Sequence, residues 1–543
     1  MHAALSALLA IAAGSIAAAP AAAHSPASPA AAALAATAPA ARAAATAAAP
    51  AAPLAAVTAA APAAPLVGAW YFGGWFNCTG PGCYSHFNGF TPRGARVQNF
   101  FPSYPERAPL LGAYSDAPGT IAAEIAAADA AGLDFFHVLY YDDDGEQGCG
   151  PNPDPNLSPC LNVALAFLLN TTSSWAGAAT GRLHFALAYS NDVDRARANM
   201  FVGATGRAAW ASRVATWVRA MANPHYLIVG ARPVFQILIP DIFVGVQCGG
   251  DVALAEALLE DLRAAGRAAG VGAPVIGGGW LPPFQAPGSG AAPLPHPAGY
   301  MKYPGTDVPC VAGPCDLARV PGAAPAACMA ACNTTGGCTA FAFYPNATCV
   351  LKSSAGPGAR GEGDFYVRVL DEVAWEWRGT YNDAPPICYA GANQTDAEAC
   401  PQYADSWLPN ATADGARIFP YAEVLKYQAD ARGNQSHDAA PYLPNVIAGF
   451  DPRPWEEQAP SFAAPSQAEW VAALTQARDF VLDPANRVFG FPDTTSPTGI
   501  RPALSIYAWN EFGEGGILAP CVGDAGSRLA AITEVFGRGE AAE

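Results

Sequence analysis

At 543 residues, 52% of them hydrophobic, the chain is long enough to bury one large core or two moderate ones, which excludes a fibrous or wholly disordered protein. Asp and Glu (45) outnumber Lys and Arg (28), and the net charge of −17 repels phosphates, nucleic acid and anionic membrane surfaces. A neutral partner such as a sugar fits that balance better.

In chain order, residues 1–23 come first, with an apolar run from Ala3 to Ala19 and small residues at Ala21 to Ala23. They predict a secretory signal peptide, although no Lys or Arg precedes the run; left uncleaved, the segment would be an N-terminal anchor. Three features agree with export. The 14 cysteines include close pairs (Cys78 and Cys83, Cys149 and Cys160, Cys388 and Cys400) in Gly/Pro/Asn-rich sequence, which read as loop staples. Sequons occur at Asn77, Asn156, Asn170, Asn333, Asn346, Asn393, Asn410 and Asn434. Past the leader, no run approaches the roughly 18–20 apolar residues a membrane span requires, so the mature chain is expected to be soluble and extracellular or in the secretory lumen.

Residues 24–65 are almost only Ala and Pro, with no apolar face to pack, and read as a disordered linker. From Leu66 the chain alternates strand-like runs with Ala-rich helical runs. The strands are expected at Leu66 to Phe72, Leu133 to Tyr141, Leu183 to Ser190, Pro233 to Pro240, Pro274 to Trp280, Ala416 to Pro420, Asn445 to Asp451 and Leu504 to Trp509. Helices are expected at Ile121 to Ala131, Val163 to Asn170, Ala208 to Met221, Val252 to Ala269, Ala422 to Ala431, Gln467 to Leu482 and Ser527 to Phe536, with Gly132, Gly270 and Gly537 closing three of them. Continuous apolar strands are buried on both faces, as in a barrel or a doubly wound sheet, and eight of them favour the α/β class and a (β/α)8 TIM-type barrel.

The barrel is expected in two parts, residues 66–307 and 370–543, around an insertion at residues 308–369 that lacks the βα rhythm. That insertion holds Cys310, Cys315, Cys328, Cys332, Cys338 and Cys349 and no His, so disulfides are favoured over a metal. Its segments Ala326-Ala-Cys-Met-Ala-Ala-Cys332, Gly337-Cys-Thr-Ala-Phe-Ala-Phe343 and Cys349-Val-Leu-Lys352 resemble the PAN/Apple fold. The resemblance implies a small α+β module in which the helix bearing paired cysteines is pinned to a sheet. It also implies a protein or glycan ligand, with a passive spacer as the alternative.

In a parallel barrel the chemistry sits just after the strands. The last strand runs through Trp509 and Asn510 into Glu511-Phe-Gly-Glu514 in a Gly-rich turn. Two carboxyls so placed serve general acid and base work at an acetal when one is kept protonated and the other ionised. The plainer alternative has Glu511 capping the turn and Glu514 solvated. Asp451 and Arg453 follow the seventh strand and form either a sugar-binding pair or a structural ion pair. Tyr71, Trp75 and Tyr141 lie at strand ends, where they stack on a sugar or fill the core. Asp142-Asp143-Asp144 is a D-x-D element or a solvated loop, and His137 and His184 read as core histidines; no metal ligand and no cofactor is expected.

Trp509-Asn-Glu-Phe-Gly-Glu-Gly515 followed by Leu518-x-Pro520 is similar to the terminal motif of glycoside hydrolase family 99 and the related WbsX-type domains. Leu66 to Phe72, Ile125 to Tyr141, Asn223-Pro-His-Tyr226 with Gly230-Ala-Arg-Pro-Val234, and Phe450-Asp-Pro-Arg453 resemble the group's other units in order. The resemblance implies retaining cleavage of an α-linked, mannose-type oligosaccharide or polysaccharide. By position it gives Glu511 the task of assisting attack by the sugar's own 2-hydroxyl, and Glu514 that of protonating the leaving oxygen, with Asp451, Arg453, Trp509 and Asn510 around the sugar. Phe512 and Gly513 stand where the hydrolases carry Trp-His, and Ala519 where related domains often carry an acid. The alternatives are a metal-dependent transferase using Asp142 and Asp144, a non-catalytic extracellular binding protein, and α-glucan as the substrate.

Overall fold

The computed structural model describes residues 64–75, 100–112, 117–141, 162–191, 199–240, 242–279, 418–435, 440–455, 461–486 and 489–537, with short stretches of 294–379 named below. The leader, nearly all of the Ala/Pro tract, the Asp142–Asp144 run, the loop-staple cysteines and the sequons other than Asn170 and Asn434 lie outside these residues. Asn170 is exposed and Asn434 lies in a helix.

Eight parallel strands carry the fold: β1 (Leu66–Tyr71), β2 (Phe135–Tyr141), β3 (His184–Ser190), β4 (Arg232–Ile237), β5 (Val275–Gly279), β6 (Trp377–Gly379), β7 (Tyr442–Leu443 and Asn445–Ile447) and β8 (Ile500–Tyr507). Each pairs in parallel with the next, and β8 pairs with β1. The ring closes through β7, whose first half bonds β6 and whose second half bonds β8, on either side of Pro444. Pro444 has no N–H for the ladder, yet its carbonyl accepts the Ser505 amide at 2.8 Å. The result is the expected α/β architecture, a TIM-type barrel.

Helices α1 (Pro118–Ala131), α2 (Val163–Leu168), α3 (Gly203–Met221), α4 (Val252–Ala268), α5 (Tyr421–Gln435), α6 (Gln467–Leu482) and α7 (Ser527–Phe536) follow strands β1, β2, β3, β4, β6, β7 and β8. Their ends obey local chemistry. Ser466 and Glu469 form a capping box at the start of α6, and the Asp251 side chain accepts the Leu254 amide at the start of α4. Gly132, Gly270 and Gly537 all take the left-handed conformation just past a helix, as the sequence predicts. No described helix is long and apolar enough to cross a membrane.

The sixth strand differs from expectation. It is Trp377–Gly379, whereas Ile418–Phe419 pairs with Ser461–Phe462 outside the barrel. Three residues reading Trp-Arg-Gly show no apolar run, so the strand is invisible as a pattern and is defined by its partner. Gly277 of β5 leaves the room that the Trp377 indole fills; a Cβ there would overlap the ring. Trp377 packs edge-on to Phe491 at 4.9 Å, and with Phe135, Val234, Val275, Leu443 and Ala503 the two rings form a separate apolar cluster.

Between β5 and β6 lies a separate antiparallel sheet, in the order 316–321, 348–352, 340–344, 364–368, 300–303, 294–296. Its last two strands, Leu294–His296 and Tyr300–Tyr303, precede residue 308, where the sequence places the start of the insertion. Disulfides Cys328–Cys349 and Cys332–Cys338 tie helical residues at 327–328 and 331–332 to this region, around Phe341 and Leu351. Cys310 and Cys315 lie outside the described residues. Cys248 and Cys521 are free and buried.

Candidate active site

Leaving β8, the chain passes through Ala508 and Trp509 into a tight hairpin. Asn510–Glu511 pairs antiparallel with Gly516–Ile517, so that Phe512, Gly513, Glu514 and Gly515 form the loop. Gly515 takes φ +81°, and Gly516 lies so close to the Tyr507 ring that a Cβ would overlap it. The Glu511 carbonyl accepts the amides of Glu514 at 3.1 Å and Gly515 at 2.8 Å. Both glutamates are buried, with 3% and 7% of their surface exposed. Tyr507 donates its hydroxyl proton to Glu514 Oε2. Two carboxyls withdrawn from water on one short loop are costly to fold.

The hairpin is held at its root and along one side. Asn510 Oδ1 accepts the Phe72 amide and its Nδ2 donates to the Phe72 carbonyl, both at 2.8 Å, so this side chain joins the hairpin to the end of β1. Trp75 donates its indole N–H to the Asn510 carbonyl at 2.6 Å and packs edge-on to Phe512 at 5.4 Å. Alongside, the Asp451 amide donates to the Glu514 carbonyl at 2.5 Å, which fixes the loop after β7 against the second glutamate.

Asp451 is the centre of a three-charge cluster. Arg453 donates to it twice, from Nε to Oδ1 at 2.6 Å and from Nη2 to Oδ2 at 2.7 Å, and Arg107 Nη2 lies 2.5 Å from Oδ2. Burial pushes the Asp451 carboxyl up, but the Arg453 hydrogen bonds and the Arg107 charge outweigh it and hold the group below its ordinary value. Burial likewise lowers Arg107, opposed first by the charge of Asp451. The Tyr104 ring lies under both cations, 4.9 Å from Arg107 and 5.8 Å from Arg453.

The structure thus gathers Glu511, Glu514, Asp451, Arg453, Trp75 and Asn510 into one connected region. It places Tyr71 and Trp509 elsewhere. Tyr71 is 1% exposed and donates to Glu124 of α1 at 2.7 Å, while the Trp509 ring packs on Phe136 at 5.1 Å, so both side chains lie in the layer between the strands and α1. Tyr141 is buried edge-on to Phe72 at 6.1 Å, and Asn162 hydrogen-bonds its backbone N–H and C=O. His137 is a buried core histidine stacked on Trp70 at 4.1 Å. Arg107, Tyr507 and Glu124 escape the sequence reading; none stands in a motif, and only their partners single them out, distant ones for Arg107 and Glu124 and one seven residues away for Tyr507.

Glu124 yields a pH-dependent prediction. Burial pushes its carboxyl up to about 7, against the hydrogen bond that Tyr71 donates to it. The folded protein therefore holds this proton more tightly than the unfolded chain, whose value is near 4.5. The stability it contributes is fully present below that value and is lost as pH rises through about 7, a change of roughly 3 kcal/mol. Glu124→Gln keeps an acceptor for Tyr71 and is expected to remove this part of the slope in urea denaturation between about pH 5 and 8. Parallel profiles for the two proteins would refute the assignment.

No family model matches the chain, and no curated protein matches it. Among solved structures it is similar to a "Glycoside hydrolase-like protein", with 11% identity and a TM-score of 0.44 over 87% of this chain and 94% of that one. It is also similar to the GH99 endo-alpha-mannosidase from Bacteroides thetaiotaomicron, with 12% identity and a TM-score of 0.39 over 88% of this chain and 98% of that one.

Proposed function

We propose that the chain is a secreted glycoside hydrolase that cleaves an α-linked, mannose-type glycan with Glu511 and Glu514. The observation that carries this reading is the pair of buried carboxyls on one hairpin directly after the last strand of a parallel barrel, the end at which such barrels do their chemistry. In this reading Glu511 assists attack by the sugar's 2-hydroxyl and Glu514, oriented by the Tyr507 hydroxyl, protonates the leaving oxygen. Asp451 and Arg453 border the sugar site, and the terminal motif similar to that of family 99 supports the substrate class. The disulfide-bonded sheet between β5 and β6 serves as a PAN/Apple-like module for a protein or glycan ligand.

The test is to incubate the secreted protein with α-mannans, N-glycan oligosaccharides and α-glucans and to measure new reducing ends. A Glu511→Gln/Glu514→Gln double variant, checked for folding by circular dichroism, is the blank. Release from an α-mannoside by the wild type alone is the expected result. A folded wild type that releases nothing from any of these glycans would overturn the proposal, and release from α-glucan alone would replace the substrate class.

A further inference from the structure

Arg107 enters from the loop after β1, at the end of a single 3-10 turn, Pro105–Arg107, and is 6% exposed. Besides Asp451 Oδ2, its guanidinium reaches three carbonyls: Nη1 donates to Asp451 O at 2.9 Å, Phe512 O at 3.2 Å and Gly513 O at 3.3 Å. Phe512 and Gly513 are the two residues between the glutamates. One planar cation therefore bridges three loops, those after β1, β7 and β8, and meets the third at the peptide groups that link Glu511 to Glu514. Such multiple bonding uses the guanidinium fork, which a lysine ammonium does not reproduce.

The segment that carries Arg107 is held independently of this side chain. Gly523 donates to Glu106 O at 2.7 Å, Val522 to Ala108 O at 3.0 Å, and Leu110 to Pro520 O at 2.8 Å. Substituting the side chain thus leaves its backbone anchored and releases chiefly the hairpin tip and Asp451. Asp451 retains Arg453, so it does not become an unpaired buried charge.

We infer that Arg107 is a positioning residue that fixes the relative placement of Glu511 and Glu514 by clamping the peptide groups between them. The kinetic consequence rests on the proposed glycosidase reading; the structural consequence does not. Small misplacements of reacting groups cost about 100-fold in rate. Arg107→Met is therefore expected to lower kcat by about that factor with KM little changed, and Arg107→Lys, which restores the charge without the fork, to recover only part of the loss.

Hydrogen exchange followed by mass spectrometry on the full chain separates this inference from the functional one. In Arg107→Met the peptide covering Glu511 to Gly516 is expected to exchange faster, while β2, β3 and β4 keep wild-type protection. Unchanged exchange in the hairpin, or faster exchange throughout the barrel, would overturn the positioning role. So would a rise in KM at constant kcat, which marks a residue that binds substrate uniformly. If the wild type proves inactive on every glycan, the functional reading fails and the exchange result alone decides the role of Arg107.

Discussion

Glu514→Gln is expected to lower kcat on an unactivated glycan by roughly a hundred- to ten-thousand-fold, while hydrolysis of an aryl glycoside with an acidic phenol as leaving group falls far less. The contrast follows from the role proposed for Glu514. A sugar alkoxide leaves poorly unless a proton arrives as the bond breaks, whereas a nitrophenolate leaves without one. The effect of Glu511→Gln should be equally severe on both substrates, because the attacking 2-hydroxyl needs its base whatever departs, and a 2-deoxy substrate should be inert even to the wild type. The measurement is kcat for each variant on the matched pair of substrates. Equal losses in Glu514→Gln on both would remove the acid role, and the opposite pattern in the two variants would exchange the assignments. Tyr507 bonds Glu514 directly, so Tyr507→Phe should weaken the same substrate contrast while retaining more activity than Glu514→Gln.

The second large effect is on stability. Asp451 neutralises two arginines, of which Arg107 is almost wholly buried. Removing one partner of a buried pair leaves an uncompensated charge, and Asp451→Ala is expected to destabilise the fold by about 3–5 kcal/mol in chemical denaturation. The deficit should also depend on pH. The Asp451 carboxyl titrates below its ordinary value when folded, so its contribution is present above the unfolded-state value and is lost as pH falls through the folded one. Wild type and Asp451→Ala should therefore converge in stability in acid and differ most near neutrality. A constant difference across that range would show that the cluster does not titrate as described. The double variant Asp451→Ala/Arg107→Met removes the stranded charge and should recover part of the lost stability.

Much of this fold is legible in the chain. Continuous apolar runs such as Phe135–Tyr141 mark strands buried on both faces, and glycines at the left-handed caps of α1, α4 and α7 mark where helices stop. These are local consequences of backbone sterics and of hydrophobic periodicity, so they survive without tertiary knowledge. Glu511 and Glu514 are legible for a related reason. They follow the last apolar strand within a few residues, and the barrel rule assigns function to such places.

What only the tertiary structure decided is which face each buried side chain takes and which distant group it meets. Along β1, Trp70 stacks on His137 while Tyr71 bonds Glu124 of α1. Both are aromatic and buried, so no polar alternation in the sequence distinguishes the two sides, and Tyr71 looks as suited to a sugar as any strand-end tyrosine. The sixth strand is similar: Trp377–Gly379 lacks an apolar run and exists because β5 offers a glycine-lined ladder on one side and β7 completes it on the other. Arg107 is the extreme case, separated by 344 residues from Asp451 and by 405 from Phe512. The sequence by itself determined seven of the eight barrel strands and placed Glu511 and Glu514 just after the last of them, because local patterning encodes strands, helices and the residues that follow them. The clamp that holds those carboxyls was decided by long-range packing, since a buried charge is tolerable only where the folded chain brings its partners within hydrogen-bonding distance.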